Sequence, residues 1–353
     1  MLRINMSTSD EFNLNQDIFD EKTYRRLQVV KKIKPPYIDS IVNYLQTLPT
    51  CNFLNYTYTM TPIDSPPMED LNDSTFSKFN SIKNAVLLLK TKYTININLH
   101  TVIIYGNNIS QLYINHIGNI INWWSQIKPQ KYTVIFYLID VTKQLPFYDL
   151  YDKPILTEEY INSGFTYRKS RAIHIFRKEE LKVLIHELIH ASKFDLDNNK
   201  LINIPFVLND DNITNEGITE YLAIIFYYWY ITQYAIHNKV TTIDNKLSYF
   251  TELLSNDLGW QVYQKNKILR FFKLSPIDLL NKNDFRQKTS VLSYFFLKHY
   301  LFYHDSLSII LSRDYKKINT LISGMDTFIK NYNTEEIPHH SRTLRMSLYE
   351  LKN

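Results

Sequence analysis

The sequence predicts an α+β fold in which a mixed sheet packs on one buried helix and the C-terminal half is mainly helical. Three observations carry this expectation. Two strongly β-forming stretches, 94–105 and 131–141, flank an amphipathic helical run at 110–127. A short strand pattern at 171–176 leads straight into an apolar-faced helical run that ends at His190. Beyond Tyr221 the apolar residues recur almost entirely at helical spacing.

Composition bounds the rest. The chain has 353 residues, 44% of them hydrophobic, enough for a sizeable core and too many for wholesale disorder. The formal net charge of +5 is modest and the charges are interspersed, so a nucleic-acid partner is not expected. Cys51 is the only cysteine and cannot form an intrachain disulfide, which fits a reducing compartment and a structural thiol. The N-terminal residues are polar and lack the apolar centre of a signal peptide. The longest charge-free apolar run, 221–236, is shorter than the roughly 20 residues a membrane span requires. A cytoplasmic protein, without membrane association, is the expectation. Scarce Gly (6) and abundant Tyr (27), Asn, Ile and Lys point to an AT-rich genome, as in some parasites, some bacteria and many large DNA viruses; for a viral source host cytoplasm or virion would be the location.

In chain order, residues 1–16 read as a tail. Residues 17–32 and 36–48 read as helices, with Arg25, Arg26, Lys31 and Lys32 as a solvated basic face. The segment 49–75 is rich in Thr, Pro, Asp and Ser and reads as a connection with one short strand near 53–60. It divides an N-terminal region, 1–75, from a main domain, 76–353, with a sheet-containing part to about 177 and a helical part from 178. Residues 81–90 read as helix, 94–105 as strand ending in the turn Gly106-Asn107-Asn108, 110–127 as helix and 131–141 as strand. Trp123 and Trp124 are expected in the core. A loop bracketed by Pro146 and Pro154 follows, then Gly164-Phe-Thr-Tyr and the strand at 171–176. Helices are expected at 215–237, 243–273 with a break near Asn256 and Gly259, 291–304, 318–331 and 343–351. His174 reads as an ordinary strand histidine.

The chemistry concentrates in residues 178–221. His186, Glu187 and His190 form an HExxH. On a helix the two histidines lie one turn apart on one face, so both imidazoles can reach one ion. Zinc accepts neutral imidazole nitrogen, and a catalytic zinc keeps a coordination position for water and lowers its pKa. Glu187, beside the first ligand, is the expected general base. Leu184, Ile185, Leu188 and Ile189 bury the helix, and Glu179 and Glu180 favour the positive end of its dipole.

Three patterns can supply a third ligand. HExxHxxGxxH would need Gly at 193 and His at 196; these are Lys193 and Leu196, so it is excluded. Asp195 or Asp197 would need a tight return after the helix. The third is a glutamate on a following helix, for which Asn215-Glu216-Gly217-Ile-Thr-Glu220-Tyr221 offers two carboxylates four apart on one face.

This segment, with the HExxH, resembles the NExxxD and NEGxxEY signatures of the gluzincins, the metallopeptidase group of thermolysin and the alanyl-type aminopeptidases. The resemblance implies a zincin-like fold, zinc held by His186, His190 and Glu216, and Glu220 as the carboxylate that orients a zinc-bound histidine; Glu220 as the ligand itself is the alternative, and an ordinary first-turn acid the plain one. It implies a zinc-dependent peptidase acting on polypeptides by water activated with Glu187, and endopeptidase action is expected because no motif for gripping a substrate N-terminus is present. It covers the motifs and not the whole chain, and the 25 residues between His190 and Glu216 exceed the gap of the alanyl-type aminopeptidases. A second resemblance, of 161–166, 173–180 and the HExxH, is to HExxH proteins of large DNA viruses described as metallopeptidases. Related enzymes stabilise the oxyanion with a C-terminal Tyr or His; Tyr294, His299, Tyr300, Tyr303 and His304 are the candidates. Either 164–167 or 171–176 would be the strand edge that pairs with substrate. The competing expectation is a catalytically inactive zinc-binding structural or virion protein, against which the intact Glu187 argues; a secreted-type toxin peptidase fits less well. Oligomeric state is not legible.

Overall fold

A computed structural model describes residues 18–66, 78–146, 154–167, 172–177, 181–206, 214–281, 285–332, 343–349 and 351. The tail at 1–16, Arg171, Glu179 and Glu180 lie outside these, as do parts of the 49–75 connection and of the loop between Pro146 and Pro154. The architecture is α+β. Six strands, β1 (Tyr58–Pro62), β2 (Thr91–Ile97), β3 (His100–Gly106), β4 (Thr133–Tyr137), β5 (Gly164–Thr166) and β6 (Ala172–Phe176), form one mixed open sheet in the order β1-β2-β3-β4-β6-β5. The stretch expected as one strand at 94–105 is a hairpin, β2 pairing antiparallel with β3 across a turn at Asn98, whose φ of 44° is in the left-handed region that asparagine tolerates. β3, β4 and β6 are parallel, and β5 is antiparallel on the far edge.

The helices before the sheet are α1 (Glu21–Leu27), shorter than expected, and α2 (Ile38–Leu45); α3 (Asn80–Leu87), α4 (Gln111–Ile127), α5 (Glu158–Ile161) and α6 (Leu181–Ala191) lie among the strands and just after them. Strand alternation sorts two faces. Val102, Ile104, Val134, Phe136, Ile173 and Ile175 join the main core with residues of α4 and α6. Their neighbours Tyr105, Ile135, Tyr137 and Phe176 pack with Ile82 and Val86 of α3 in a smaller cluster on the other face. Ile41 and Leu45 of α2 belong to the main core, so residues on both sides of position 75 share it. Trp123 and Trp124 are fully buried, and the Trp123 indole donates to the Pro49 carbonyl. Cys51 is buried, which pushes its thiol up to about 12.

After α7 (Thr214–His237) come α8 (Lys246–Phe272), α9 (Asp278–Asn281), a π-helical turn (Ser293–Leu297) continuing as α10 (Lys298–Leu301), α11 (Ser306–Ser312), α12 (Tyr315–Ser323) and α13 (Met325–Lys330). Among the described residues no helix is long and apolar enough to cross a membrane. Three expectations need correction here. First, α8 does not break at Asn256 and Gly259. Asn256 donates to the Tyr349 hydroxyl, and a Cβ on Gly259 would stand 2.0 Å from the Lys31 carbonyl oxygen, so both residues serve docking of other segments. Second, residues 343–349 are not helical but an extended strap. Its carbonyls are taken by buried side chains instead of its own amides: Trp260 and Gln264 donate to Arg345, Lys267 to Thr343 and Lys298 to Met346. Third, Arg26 is not solvated; it is buried and donates to the Leu348 carbonyl at 2.7 Å.

His116 of α4 is 1% exposed, 2.8 Å from the Tyr230 hydroxyl, and burial lowers its pKa from 6.5 to about 4. A depressed histidine pKa means that the unfolded chain takes up the proton first, so stability falls as pH drops from 6.5 towards 4 and levels below that. The full loss is at most about 3 kcal/mol. Denaturant melts of wild type and His116→Gln across this range should differ in slope, wild type losing stability more steeply towards acid.

Candidate metal centre

The HExxH folds as α6 because its apolar residues face the sheet, α4 and α7, leaving His186, Glu187 and His190 along one side. Its end is set by a Schellman turn. Lys193 takes φ 53°, its amide donates to the His190 carbonyl at 3.0 Å, and the Phe194 amide reaches back to Ile189 at 3.0 Å. Phe194 then packs edge-on to Trp124 and Phe226. The Arg313 guanidinium donates to the carbonyls of Lys193, Phe194 and Asp195, locking the turn. The described part of the long 191–214 connection is thus held by side chains, including Tyr315 to the Asp197 amide and Asn319 to Ile202 and Lys200.

That turn returns Asp195 to the helix, where its Oδ2 lies 2.8 Å from His190 Nδ1. Asn215 fastens it: Nδ2 donates to Asp195 Oδ2 at 3.0 Å, and Oδ1 accepts from the Leu196 amide at 3.1 Å. Glu216 follows in the first turn of α7 and reaches both histidines, with Oε2 3.3 Å from His186 Nε2 and Oε1 3.5 Å from His190 Nε2. The two Nε2 atoms are 3.1 Å apart. Glu220, one turn further along α7, lies 3.0 Å from His186 Nδ1. Each imidazole thus presents Nε2 to the centre and has a carboxylate on Nδ1, Glu220 for His186 and Asp195 for His190, an arrangement that fixes tautomer and ring orientation.

Charge makes the same point. Glu220 is fully buried; its Oε1 accepts from Lys182 at 2.6 Å and Lys298 at 3.4 Å, its Oε2 from Lys182 at 2.7 Å. Burial pushes a carboxyl up, but here the two lysines outweigh it and hold Glu220 well below its ordinary range. Burial likewise pushes His190 down, yet Glu216, Asp195 and Glu187 outweigh it and hold the imidazole well above its ordinary value. Four carboxylates, Glu187, Asp195, Glu216 and Glu220, face two ammonium groups, Lys182 and Lys298.

His186, His190 and Glu216 form the group among the described residues that could hold a metal ion. Zinc bound at about 2.0–2.1 Å in tetrahedral geometry separates its ligand atoms by roughly 3.3–3.4 Å. The separations of 3.1, 3.3 and 3.5 Å bracket that value, and two nitrogens with one carboxylate are a donor set zinc accepts. The residues present therefore fit zinc.

Glu187 is 4% exposed and accepts from the Thr166 hydroxyl at 2.7 Å. Burial raises its pKa, outweighing the two histidines and Thr166. Thr166 belongs to β5, the sheet edge; β6 is interior, paired on both sides, so of the two candidate substrate edges only 164–166 is an edge. A Cβ on Gly164 would stand 3.0 Å from Val183 Cγ1 and 3.2 Å from Glu187 Cγ, so glycine is what lets this edge approach α6. Of the five oxyanion candidates, Tyr294 reaches the centre, its hydroxyl donating to Glu216 Oε2 at 3.0 Å. It sits on the π-helical turn, a widening common at functional sites. A Cβ on Gly217 would stand 2.7 Å from the Ser293 carbonyl, so the glycine permits the close crossing that delivers Tyr294. Tyr300 instead donates to the Leu321 carbonyl, and His299 and Tyr303 pack near Phe328. His304 packs at a tilt against the Tyr300 ring. His174 is buried in the sheet, stacked on Phe165.

Sequence reasoning missed the partners of the site. From the sequence Asp195 reads only as a possible ligand, and nothing there assigns the Asn215, Thr166, Lys182 or Lys298 side chains a role in the site. Lys182, four residues before His186 on the same helical face, was the one legible signal. Comparison of the chain with protein-family models, curated proteins and solved structures finds no match in any of the three.

Metal analysis after dialysis should separate the roles. Glu216→Ala is expected to lose stoichiometric zinc, whereas Glu220→Ala and Asp195→Asn should retain it with affinity about 10–100-fold weaker. Retention of wild-type affinity by Glu216→Ala would remove Glu216 from the ligand set.

Proposed function

We propose that this chain is a zinc-dependent peptidase of zincin-like architecture, with zinc held by His186, His190 and Glu216 and Glu187 as general base. The observation that carries the reading is the placement of Glu187. It lies beside the convergent ligand group, shielded from bulk water and hydrogen-bonded by Thr166 from β5, the last strand of the sheet. A purely structural site has no use for a base in that position.

Bound there, zinc would supply Lewis acidity, lowering the pKa of a water and polarising a carbonyl. The chain's own groups do the rest. Glu187, its pKa raised by burial, accepts the proton of the attacking water and returns it to the leaving amine. The water oxygen bonds to the carbonyl carbon, the C–N bond breaks, and acid and amine leave. An extended polypeptide pairs with β5, which sets the scissile bond against Glu187. Tyr294 stays protonated, because burial and Glu216 hold its phenol well above the usual range, and its hydroxyl is the group placed to donate to a developing oxyanion. Asp195 and Glu220 keep both imidazoles turned to the centre.

A peptide-library digest comparing zinc-loaded wild type with Glu187→Gln tests the reading. Wild type is expected to cleave and the variant to be slower by about 10²–10⁴-fold at equal zinc content. If both are inert with zinc bound stoichiometrically, the chain is a zinc-binding structural protein. Tyr294→Phe should lower kcat by roughly 10–100-fold with little change in KM, as expected for a donor engaged only in the transition state. An equal loss in KM alone would make Tyr294 a binding residue.

A further inference from the structure

The C-terminal strap reaches the back of the candidate centre. Met346 walls one side of a small cleft that Lys182, His186, Glu187 and Glu220 also line. Its carbonyl accepts from Lys298 Nζ at 2.9 Å, and the same ammonium donates to Glu220 Oε1 at 3.4 Å. Glu220 Oε2 in turn stands 3.0 Å from His186 Nδ1. One short chain of contacts therefore runs from the strap backbone, through a single lysine, to an imidazole of the ligand group. Lys298 is 0% exposed and Met346 4%, so bulk water reaches neither while the strap is docked.

The strap is also built to dock or leave as a unit. It belongs to no helix and to none of the six strands. Single hydrogen bonds to other elements hold it. Trp260 Nε1 and Gln264 Nε2 donate to the Arg345 carbonyl at 3.1 and 2.7 Å, the Leu348 amide donates to Asp257 Oδ1 at 2.9 Å, and the Leu344 amide donates to the Lys143 carbonyl at 3.1 Å. All fall within one short segment, so they form or break together, the behaviour of a cooperative unit that opens below global unfolding. Opening takes the Met346 wall from the cleft and the Met346 carbonyl from Lys298. Water then enters the cluster of Lys182, Glu220 and Lys298, where a higher dielectric weakens charge pairing and Glu220 loses its fixed donors. A carboxylate behind a metal-binding histidine sets that ligand's orientation and basicity, and its loss lowers metal affinity by about 10–100-fold.

We propose that the strap is a latch on the metal centre: strap docking and metal binding reinforce each other through Lys298, which grips the Met346 carbonyl and Glu220 at once. Lys298 is then a positioning residue, acting on the metal through Glu220 and His186. The inference rests on the metal-centre part of the reading above and is independent of the reaction. Linkage is reciprocal, so the factor by which opening the strap weakens zinc is the factor by which saturating zinc makes the strap harder to open. Lys267 provides the contrast. Its Nζ donates to the Thr343 carbonyl and lies over the Trp260 and Tyr263 rings, so it holds the strap without touching Glu220.

Amide hydrogen exchange of the full-length chain, stripped of metal and then loaded with zinc alone, tests the latch. Zinc should slow exchange of the Leu344 and Leu348 amides by roughly tenfold or more, and by a smaller factor than amides in the middle of α4, which exchange only through global unfolding. Unchanged strap exchange overturns the latch and leaves the metal centre standing. Slowing by the same factor as in α4 also overturns it, because the strap then opens only with the whole fold. Lys298→Met should lose zinc affinity by about tenfold or more and abolish the extra protection of the strap. Lys267→Met should exchange faster at the strap and still be slowed by zinc by the wild-type factor. Wild-type slowing in Lys298→Met, or its loss in both variants, overturns the role of Lys298. Should Lys298→Met fail to fold, the wild-type and Lys267→Met comparisons carry the test. Absence of stoichiometric zinc uptake by the wild type overturns the metal centre and the latch with it.

Discussion

Everything around the candidate centre depends on burying Glu220 as an anion. A carboxylate taken out of water costs several kcal/mol unless its lone pairs are filled by charged or hydrogen-bonding partners. Here Lys182 from α6, Lys298 from α10 and His186 fill them. Because the donors come from different elements, satisfying one carboxylate fixes how α6, α7 and α10 sit against each other. Lys298 extends the constraint, since it also donates to the Met346 carbonyl and so ties in the strap. The face of α6 that carries His186 and His190 is oriented by the same set of bonds, so the candidate site and the packing of the helical half are not separable energetically.

The two ends of the described chain support this arrangement from behind. Phe19 bridges Leu351, Arg26 donates to Leu348, and the Lys31 carbonyl lies against Gly259 of α8. The strap in turn lies on α8 through Asp257, which accepts from the Leu348 amide, and through Trp260, Gln264 and Lys267. Polar side chains of α8 are therefore buried, and their role is to replace the hydrogen bonds an extended segment cannot make to itself. Residue types usually found at the surface mark the docking line.

Legibility in the sequence followed the range of the interactions. The helices α4, α7 and α8 and the strands β4 and β6 were legible because their apolar period is local and strong. The hairpin at Asn98 was not, because an apolar run gives no sign of where it folds back when the turn residue is not glycine. The strap at 343–349 was misread as helix: its apolar residues Leu344, Met346 and Leu348 alternate, but Arg345 and Ser347 between them and Tyr349 after them are buried too, so alternation does not separate two faces. In the site, His186, Glu187 and His190 were legible from one helical turn, and Glu216 with Glu220 from another.

By itself the sequence determined the groups that can meet a metal, because spacings of one and four residues on a helix leave little freedom in where the side chains point. It also determined the α+β division of the chain through the change from strand to helical periodicity. Only the tertiary structure decided what stands behind each ligand: Asp195 returned by a Schellman turn, Glu220 neutralised by two lysines, and Tyr294 brought in by a π-helical turn against Gly217. It decided too which strand is the edge and which residues line the cleft beside Glu187. The physical reason is that these contacts join residues up to 78 positions apart, and their geometry is set by close packing and charge compensation between elements, neither of which leaves a periodic trace in the chain.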